Sequence, residues 1–365
     1  MKVLLAFDSF KGTMTSLEVA GIVKEGLKKK YPTLDIQTLE IGDGGEGTLD
    51  AIINQIGGEK RFKRIVGPHF EKIEAPIGIK GNTCFIESAS VVGFKYKRKE
   101  DTPSSISTYG IGELIKYALD LDMKNIYICL GGTTSNDGGC GMARALGAKF
   151  YGKDCQEFTP MGVSLNEIED IELESLDKRL KNVNIYGLVD VINPLFGKNG
   201  ASYVYGPQKG ANEAEVIKMD EGLKHLSQIL LEKYQLDLAN FQGSGAAGGL
   251  GYGLISFLNG KIKKGIETIL DLLNFNDIIK EANIIFTGEG RLDAQSFQGK
   301  VIDGIFKKAK DKDVIGIFGI VDENLEIPYK FKKIYEINSK HLPFEEVKKH
   351  TKSELEELVK AIDLS

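Results

Sequence analysis

The sequence predicts an α/β protein of two domains, and three observations support this fold class. The chain of 365 residues exceeds the usual size of a single hydrophobic core. Strand and helix patterns alternate at both ends of the chain, which indicates right-handed crossovers and a parallel sheet. The middle of the chain has mixed patterning, which indicates a second α/β domain of mixed sheet inserted into the first.

The two ends of the chain provide the elements of the first domain. Thr15 and Glu18 have the spacing of a capping box, which predicts a helix that begins there and runs through Lys29. A further helix is predicted at 48–56, and others near 300–310 and 343–362. Strands are predicted at 3–7, 35–41, 284–287, 314–320 and 334–337. We therefore assign residues 1–62 and 283–365 to one discontinuous parallel-sheet domain.

The middle of the chain provides the inserted domain, from residue 63 to residue 282. A hairpin is predicted around Gly81, between strands at 72–79 and 83–86. Further elements are a helix at 112–121, strands from 126 and at 184–189, and a Gly/Ala-rich run at 243–253 that leads into a helix. We expect the active site in the cleft between the two domains, which is a common position for a ligand.

The richest polar segment is GGTTSNDGG at residues 131–139, between a predicted strand and a predicted helix. Its glycines let the backbone approach a ligand, its side chains add donors, and the following helix start favours an anion. A structural turn capped by Asn136 or Asp137 is the alternative. We predict contacts to substrate or phosphate from Gly131, Gly132, Thr133, Thr134, Ser135 and Asn136.

Glycines, lysines and carboxylates follow other predicted strands as well. These segments are DSFKG (8–12), DGGEGT (43–48), DVINP (190–194), GPQKG (206–210) and GEGRLD (288–293). Each segment alone is most often a turn. Together they supply cations, carboxylates and amide donors, which are the groups that Mg²⁺-dependent phosphoryl transfer needs.

Composition and motifs argue against several other classes of function. The net charge of −5 and the lack of a basic stripe argue against a nucleic-acid binder. The four cysteines have no CxxC spacing and the four histidines are not spaced as zinc ligands, which predicts reduced thiols, a cytoplasmic location and no zinc site. No apolar run approaches the ~18 residues that span a membrane. There is no P-loop motif, and GSGAAG at 243–248 lacks the preceding strand of a dinucleotide fingerprint.

Taken in order, the motifs resemble those of the glycerate kinase type 1 family. The matching segments are DSFKG, DGGEGT, GIGEL, GGTTSNDGG, DVINPL, GPQKGA, GAAGGLG and TGEGRLDAQS, and they extend the resemblance from residue 2 to about residue 320. Thr133-Thr134-Ser135 stands where the family often has Ser-Ala-Thr, and Val189 stands where it often has Cys. The resemblance implies a flavodoxin-like first domain and ATP-dependent, Mg²⁺-assisted phosphorylation of D-glycerate, usually at the 2-hydroxyl.

With this reaction in mind, we assign expected roles to residues of the loops. Asp190 or Asp137 is expected to act as the general base, and Lys11 and Lys209 to neutralise the transferred phosphate. Besides the 131–136 segment, we expect ligand contacts from Ser9, Asn193, Gly288 and Arg291. Oxygen ligands for Mg²⁺ are expected from Asp43, Glu46 and Asp293, with Asp190 as a further candidate.

Two other functions and several details stay open at this point. A non-catalytic binder or sensor of a small organic anion is the main alternative, although the loop carboxylates would repel an anion unless a metal intervenes. A dehydrogenase would require a strand before Gly243. The 3-phosphate is the other candidate product. The sequence does not determine which domain binds the nucleotide or whether the chain forms a homodimer, and it predicts neither a nucleic-acid nor a membrane partner.

Overall fold

The computed structural model describes residues 1–10, 12–42, 44–338 and 342–364, and the chain divides into two compact units. Unit 1 comprises Met1–Asp43 and Ile266–Ser365, and unit 2 comprises Gly44–Gly265. The strands are β1 (Lys2–Phe7), β2 (Asp35–Thr38), β3 (Glu59–Val66), β4 (Lys72–Lys80), β5 (Thr83–Glu87), β6 (Asn125–Cys129), β7 (Lys149–Tyr151), β8 (Glu157–Phe158), β9 (Asp170–Glu172), β10 (Asn184–Val189), β11 (Lys261–Lys264), β12 (Ile284–Gly288), β13 (Arg291–Leu292), β14 (Asp313–Phe318), β15 (Ile320–Val321) and β16 (Lys333–Glu336). The helices are α1 (Ser16–Lys30), α2 (Thr48–Ile56), α3 (Ala89–Val92), α4 (Tyr109–Asp120), α5 (Cys140–Ala145), α6 (Ala201–Tyr205), α7 (Glu213–Tyr234), α8 (Ala246–Phe257), α9 (Gly265–Leu272), α10 (Phe275–Glu281), α11 (Val301–Ala309) and α12 (Phe344–Ala361).

Unit 1 contains a parallel sheet in the order β2-β1-β12-β14-β16. Counted along the chain, these strands have the order 2-1-3-4-5, which is that of flavodoxin-like folds. The predicted capping box is present, because Thr15 accepts the amide of Glu18 and the side chain of Glu18 accepts the amide of Thr15. The predicted α/β class, with a flavodoxin-like sheet built from both chain ends, is therefore confirmed.

Unit 2 contains a mixed sheet in the order β11-β10-β6-β5-β4-β3. Strands β5, β6, β10 and β11 are parallel to one another, whereas β3 and β4 pair antiparallel and β4 and β5 form the predicted antiparallel hairpin. Strand β3 was not predicted, because its sequence EKRFKRIV is mostly charged and exposed and does not alternate. The mixed sheet of the inserted domain is confirmed.

The bounds of the two units differ from the predicted domain limits of 62/63 and 282/283 in both places. Helix α2 belongs to unit 2, because it packs on β4: a Cβ on Gly78 would lie 2.5 Å from Ile53 Cγ1. Residue Ile266 and the rest of α9 belong to unit 1, where a Cβ on Gly304 would lie 2.6 Å from Ile266 Cγ1. The periodicity of a helix predicts that it forms, but not which sheet it covers.

The Gly/Ala-rich run at 243–253 forms a turn and the first part of α8. Residues 235–242 before it are coil and turn rather than strand. Ala247, Gly248 and Gly249 have left-handed backbones, with φ of 55°, 69° and 86°. This segment therefore lacks the strand that precedes a dinucleotide-binding loop. Within the residues that the structure describes, no helix is long and apolar enough to cross a membrane.

Candidate active site

The parallel strands of unit 2 end at one edge of the sheet. In the pairing register, Cys129 at the end of β6 lies beside Glu87 of β5 and Leu188 of β10, and Val189 lies beside Lys264. The loops that follow these strands begin with Ser88, Leu130 and Asp190. Ligands of open α/β sheets bind outside the carboxyl ends of the strands. This edge is therefore the candidate site of unit 2.

Gly131 and Gly132 are the accessible part of the GGTTSNDGG segment. The amide of Gly131 donates to Gly44 O at 2.9 Å, and a Cβ on Gly131 would lie 2.7 Å from that oxygen. Thr134 donates its amide and its hydroxyl to Val92 O, both at 2.8 Å. The predicted ligand-binding loop is thus fixed on one side by the glycine loop before α2 and on the other by the end of α3.

The remainder of the segment, from Thr133 to Asp137, is buried. Ser135 O accepts the Nζ of Lys209 at 2.8 Å, and Asn136 Nδ2 donates to Ser202 Oγ at 3.1 Å. Ser135 Oγ and Asn136 Oδ1 are buried without a hydrogen-bond partner among the described residues. Buried polar groups normally have a partner. These two atoms are therefore the side-chain groups of the segment with capacity for a further hydrogen bond.

Asp137 is held by donors from three positions. Its Oδ2 accepts the amide and the hydroxyl of Thr108, at 2.8 and 2.7 Å, and the amide of Gly141 at 3.3 Å. Its Oδ1 accepts the amide of Gly139 at 3.0 Å. Burial raises the pKa of Asp137, and the bonds from Thr108, Gly139 and Gly141 oppose that rise. The carboxylate joins the starts of α4 and α5, which favours a structural role over that of a base.

Lys209 is buried rather than exposed on a turn. Only 4% of the residue is accessible, and its ammonium binds the carbonyl of Ser135. Burial lowers the pKa of Lys209 to about 7, and the nearby charge of Asp137 opposes that change. The sequence predicted a cation for the transferred phosphate at this position. In the structure, Lys209 instead holds the backbone of the 131–137 loop through the carbonyl of Ser135.

Asp190 and Asn193 follow β10 and have different environments. Asp190 is half-buried beside Gly265, where a Cβ would lie 2.6 Å from Asp190 Oδ2, so glycine at that position leaves space for the carboxylate. Asn193 donates to Asn199 O at 2.8 Å and accepts the hydroxyl of Tyr205 at 2.7 Å. These bonds of Asn193 shape its own loop. Asp190 thus lies at the carboxyl end of β10, beside Gly265.

Gly248 fits against the buried half of the loop. With φ of +69°, it brings its backbone so close that an added Cβ would lie 2.0 Å from Ser135 O. Gly138 also donates its amide to Gly248 O at 3.1 Å. The Gly/Ala-rich run therefore serves as a packing surface for residues 135–138.

We expect Gly248→Ala to destabilise the protein by about 3 kcal/mol or more, because the new methyl group is strained by its left-handed backbone and displaces Ser135. Urea unfolding measures this loss. Gly81→Ala is the matched control, since Gly81 also has positive φ, of 57°, but has open space around its Cβ position. Equal losses in the two variants would show that backbone strain, and not contact with the loop, sets the effect.

The predicted residues of unit 1 that the structure describes lie at or near the carboxyl edge of its own sheet. Gly288 ends β12, accepts the amide of Asp8 at 2.9 Å, and is so close to β14 that a Cβ would lie 1.7 Å from Ile317 O. The amide of Ser9 donates to Asp8 Oδ1 at 2.6 Å. Gly288 is thus required for packing, and Ser9 belongs to the turn that follows β1.

Arg291 and Asp293 continue the loop after β12. Arg291 is exposed, and its Nε donates to Asp322 Oδ1 at 2.7 Å. Asp293 Oδ1 accepts the amides of Gln295 and Ser296, at 2.8 and 3.2 Å, and so caps a short 3₁₀ turn. Arg291 is accessible to an anion, whereas Asp293 has one oxygen engaged in a cap.

The predicted metal ligands do not form a cluster in the part of the chain that is described. Lys11 and Asp43 lie outside the described residues, and Glu46 is exposed on the glycine loop before α2. No group of three or more His, Cys, Asp or Glu side chains among the described residues is arranged to hold a metal ion. Mg²⁺ in phosphoryl-transfer sites is usually held by one or two carboxylates together with substrate phosphates.

Glu87 is a residue of this edge that the sequence interpretation missed. It ends β5, is 5% accessible, and accepts the amide of Leu49 at 3.0 Å. Burial raises the pKa of Glu87 to about 7. The predicted strand ended at Ile86, so Glu87 was treated as the first residue of a connection. A carboxylate directly after an apolar strand is the signal that could have identified it.

The chain is similar to known proteins along almost its entire length. The sequence model of the glycerate kinase family matches residues 3–364. The glycerate 2-kinase of Escherichia coli K12 is 40% identical over 332 residues, which cover 90% of this chain and 87% of that protein. The glycerate kinase of Bacillus subtilis 168 is 34% identical over 372 residues, covering 100% of this chain and 97% of that protein. A Salmonella typhimurium LT2 protein whose crystal structure carries the name glycerate kinase 2 superposes with a TM-score of 0.83 at 33% identity, covering 99% of this chain and 96% of that one.

Proposed function

Because the chain belongs to the glycerate kinase family, we propose that it transfers the γ-phosphoryl group of ATP to D-glycerate at the 2-hydroxyl, giving 2-phospho-D-glycerate and ADP. The observation that carries the proposal is the family match over residues 3–364. The position of the phosphate is supported by the name glycerate 2-kinase of the Escherichia coli relative. Transfer to the 3-hydroxyl, giving 3-phosphoglycerate, is the other product that the test below distinguishes.

In this proposal, Asp190 is the general base that accepts the proton of the attacked hydroxyl. It is half-buried after β10, and it stands at the edge that also presents Gly131 and Gly132. Asp137 is the less suitable base, because its two oxygens already accept bonds from Thr108, Gly139 and Gly141. A base is a modest contributor in a loose phosphoryl-transfer transition state, so positioning by the loop backbone matters as much.

The carboxylate and hydroxyls of a bound glycerate need donors and acceptors at the same edge. The exposed backbone of Gly131 and Gly132 supports this role, and Ser135 Oγ and Asn136 Oδ1 have capacity for one further bond each. In this proposal, Thr133 and Thr134 contribute indirectly, by fixing the backbone of the loop that presents Gly131 and Gly132. Ser9, Gly288 and Arg291 of unit 1 remain proposed ligand contacts, of which Arg291 carries an exposed positive charge.

Phosphoryl transfer also requires positive charge near the phosphates. We keep Mg²⁺ as a proposed cofactor that enters with ATP. Asp43, Glu46 and Asp293 would hold it, and it would neutralise the negative charge that develops during the transfer. Lys11 remains the proposed side-chain cation. Lys209 contributes indirectly, because its ammonium fixes the carbonyl of Ser135. The four cysteines are free thiols and, with ATP as the substrate, fit the cytoplasmic location that we propose.

A coupled assay of ADP release tests the proposed reaction. We expect ADP only when ATP, Mg²⁺ and D-glycerate are all present, and its loss when EDTA removes the metal. D-lactate, which has the same configuration at carbon 2 but lacks the 3-hydroxyl, and malonate, which has no hydroxyl, are the matched control acids. No turnover, combined with a rise of the melting temperature on adding D-glycerate alone, would support the non-catalytic anion binder and overturn the kinase proposal.

A further inference from the structure

We propose that Glu87 is a positioning residue of this site: its carboxylate fixes the start of α2 and, through it, the glycine loop 44–47 that contacts Gly131. The inference rests on the proposed phosphoryl transfer, since it names a residue that shapes the same strand edge. It is carried by the contacts of Glu87 within unit 2.

Glu87 provides the side-chain cap that the N-cap residue of α2 cannot provide. The N-cap residue of α2 is Gly47, with φ of +88°, and glycine has no side chain to bond the free amides of the first turn. Glu87 Oε2 accepts the amide of Leu49, the second residue of the helix, at 3.0 Å. A carboxylate is also favoured there by the positive end of the helix dipole. The start of α2 is therefore fixed by a residue from β5, distant in sequence.

The loop before α2 transmits this constraint to the ligand-facing glycines. Gly44 O accepts the amide of Gly131 at 2.9 Å, and a Cβ on Gly132 would lie 3.6 Å from the backbone nitrogen of Glu46. Residues 44–47 thus lie between the capped helix and the exposed backbone of Gly131 and Gly132. If the cap is removed, the helix start can fray, and the position of Gly131 changes with it.

The ionised carboxylate of Glu87 is unfavourable in its buried environment, so the residue does more than stabilise the fold. Burial raises its pKa to about 7 from an ordinary value of 4.5; Asp50 and Glu46 raise it further, and the Leu49 amide and Lys95 oppose the rise. Because the folded pKa is above the unfolded one, the stabilising contribution is present below pH 4.5 and is lost as the pH rises through about 7. At alkaline pH the protein retains a buried charge at a cost in stability. Functional sites are enriched in such groups.

Two substitutions separate positioning from packing. Glu87→Ala removes the acceptor of the Leu49 amide, and Glu87→Gln retains an acceptor of the same shape without the charge. We expect Glu87→Ala to lower kcat/KM by about 10-fold or more, because small displacements of positioning groups are costly, and Glu87→Gln to restore most of this loss. Asp177→Asn is the control: Asp177 caps the turn Lys178–Asn182, before the amino end of β10, by accepting the amide of Arg179 at 3.0 Å. The Asp177→Asn substitution should leave kcat and KM unchanged.

Hydrogen exchange tests the inference without using the reaction. In Glu87→Ala, the amides of residues 44–50 and 131–132 should exchange faster than in the wild type, whereas Glu87→Gln and Asp177→Asn should preserve their protection. Unchanged exchange in Glu87→Ala would overturn the positioning role even if the kinase reaction is found. Absence of kinase activity in the wild type would overturn the proposed function, and the exchange pattern would still decide the role of Glu87.

Thermal unfolding keeps the inference testable if Glu87→Ala does not fold. Since the buried charge is costly only above about pH 7, the melting temperature of Glu87→Gln should exceed that of the wild type by an increasing margin as the pH rises from about 6 to about 8.5. This gain in stability, together with a kcat/KM close to that of wild type, would support a side chain that acts as the hydrogen-bond acceptor for the start of α2. A Glu87→Gln variant that is less stable at every pH would contradict the account.

Discussion

Asp190→Asn is expected to lower kcat by about 10²–10³-fold, within the range that general bases contribute, while the fold is retained. The amide has the shape of the carboxylate but cannot accept the proton of the attacked hydroxyl. Asp190 is half-buried at the end of β10, so the substitution should change the melting temperature little. Steady-state ADP release gives kcat, and circular dichroism with thermal unfolding confirms the fold.

Two further variants locate this effect at the carboxylate. Asp170→Asn is the control, because Asp170 pairs with Lys233 at 2.6 Å on the surface of the same unit and should leave kcat unchanged. Gly265→Ala keeps the charge of Asp190 but brings a methyl group to 2.6 Å from its Oδ2, so it should also lower kcat. An Asp190→Asn variant with kcat within a few-fold of wild type and normal folding would exclude Asp190 as the base.

Asp137→Ala is expected to lower the free energy of unfolding by about 3–5 kcal/mol. The substitution leaves the buried amides of Thr108, Gly139 and Gly141 without an acceptor. It also removes the negative charge that favours the ammonium form of Lys209. Urea unfolding at neutral pH measures the loss.

Lys209→Met provides the comparison for this prediction. If Asp137 and Lys209 stabilise the same loop, their free-energy changes in a double-mutant cycle with Asp137→Ala will not be additive. The folded pKa of Lys209, about 7, is below the unfolded value of 10.5, so its stabilising contribution is present above pH 10.5 and lost as the pH falls through about 7. The free energy of unfolding of Lys209→Met, relative to that of wild type, should therefore be higher in mildly acidic than in alkaline solution. Normal stability of Asp137→Ala combined with loss of turnover would instead assign Asp137 to the chemistry.

The parallel sheet of unit 1 could be predicted because strands and helices alternate along most of the two chain ends. Every predicted strand there except 314–320 was followed by a helix, and right-handed crossovers leave few arrangements of such a sheet. The membership of α2 could not be predicted in the same way. Its apolar face, which includes Leu49 and Ile53, fits any sheet, and contacts such as that with Gly78 on β4 assign it to unit 2.

The polar loops that follow the strands were more predictable than the environment of the residues within them. Polar glycine loops after strands identified residues 131–139, Asp190 and the loop before α2. Exposure was not predictable, because TTSND has the composition of an accessible loop and is nevertheless buried from Thr133 to Asp137. Lys209 was expected to neutralise the transferred phosphate, and it is buried as well. Glu87 was missed because its role depends on the amide of Leu49, which is distant in sequence.

The measurement that tests the central claim most directly is a proton-coupled ³¹P NMR spectrum of the product formed from ATP, Mg²⁺ and D-glycerate. A phosphate on carbon 2 is coupled to a single proton, and a phosphate on carbon 3 is coupled to two. We predict a glycerate-dependent doublet, which identifies 2-phosphoglycerate. A triplet would show that the 3-hydroxyl is phosphorylated, and a spectrum with no new resonance would contradict the assignment of this chain as a working glycerate kinase.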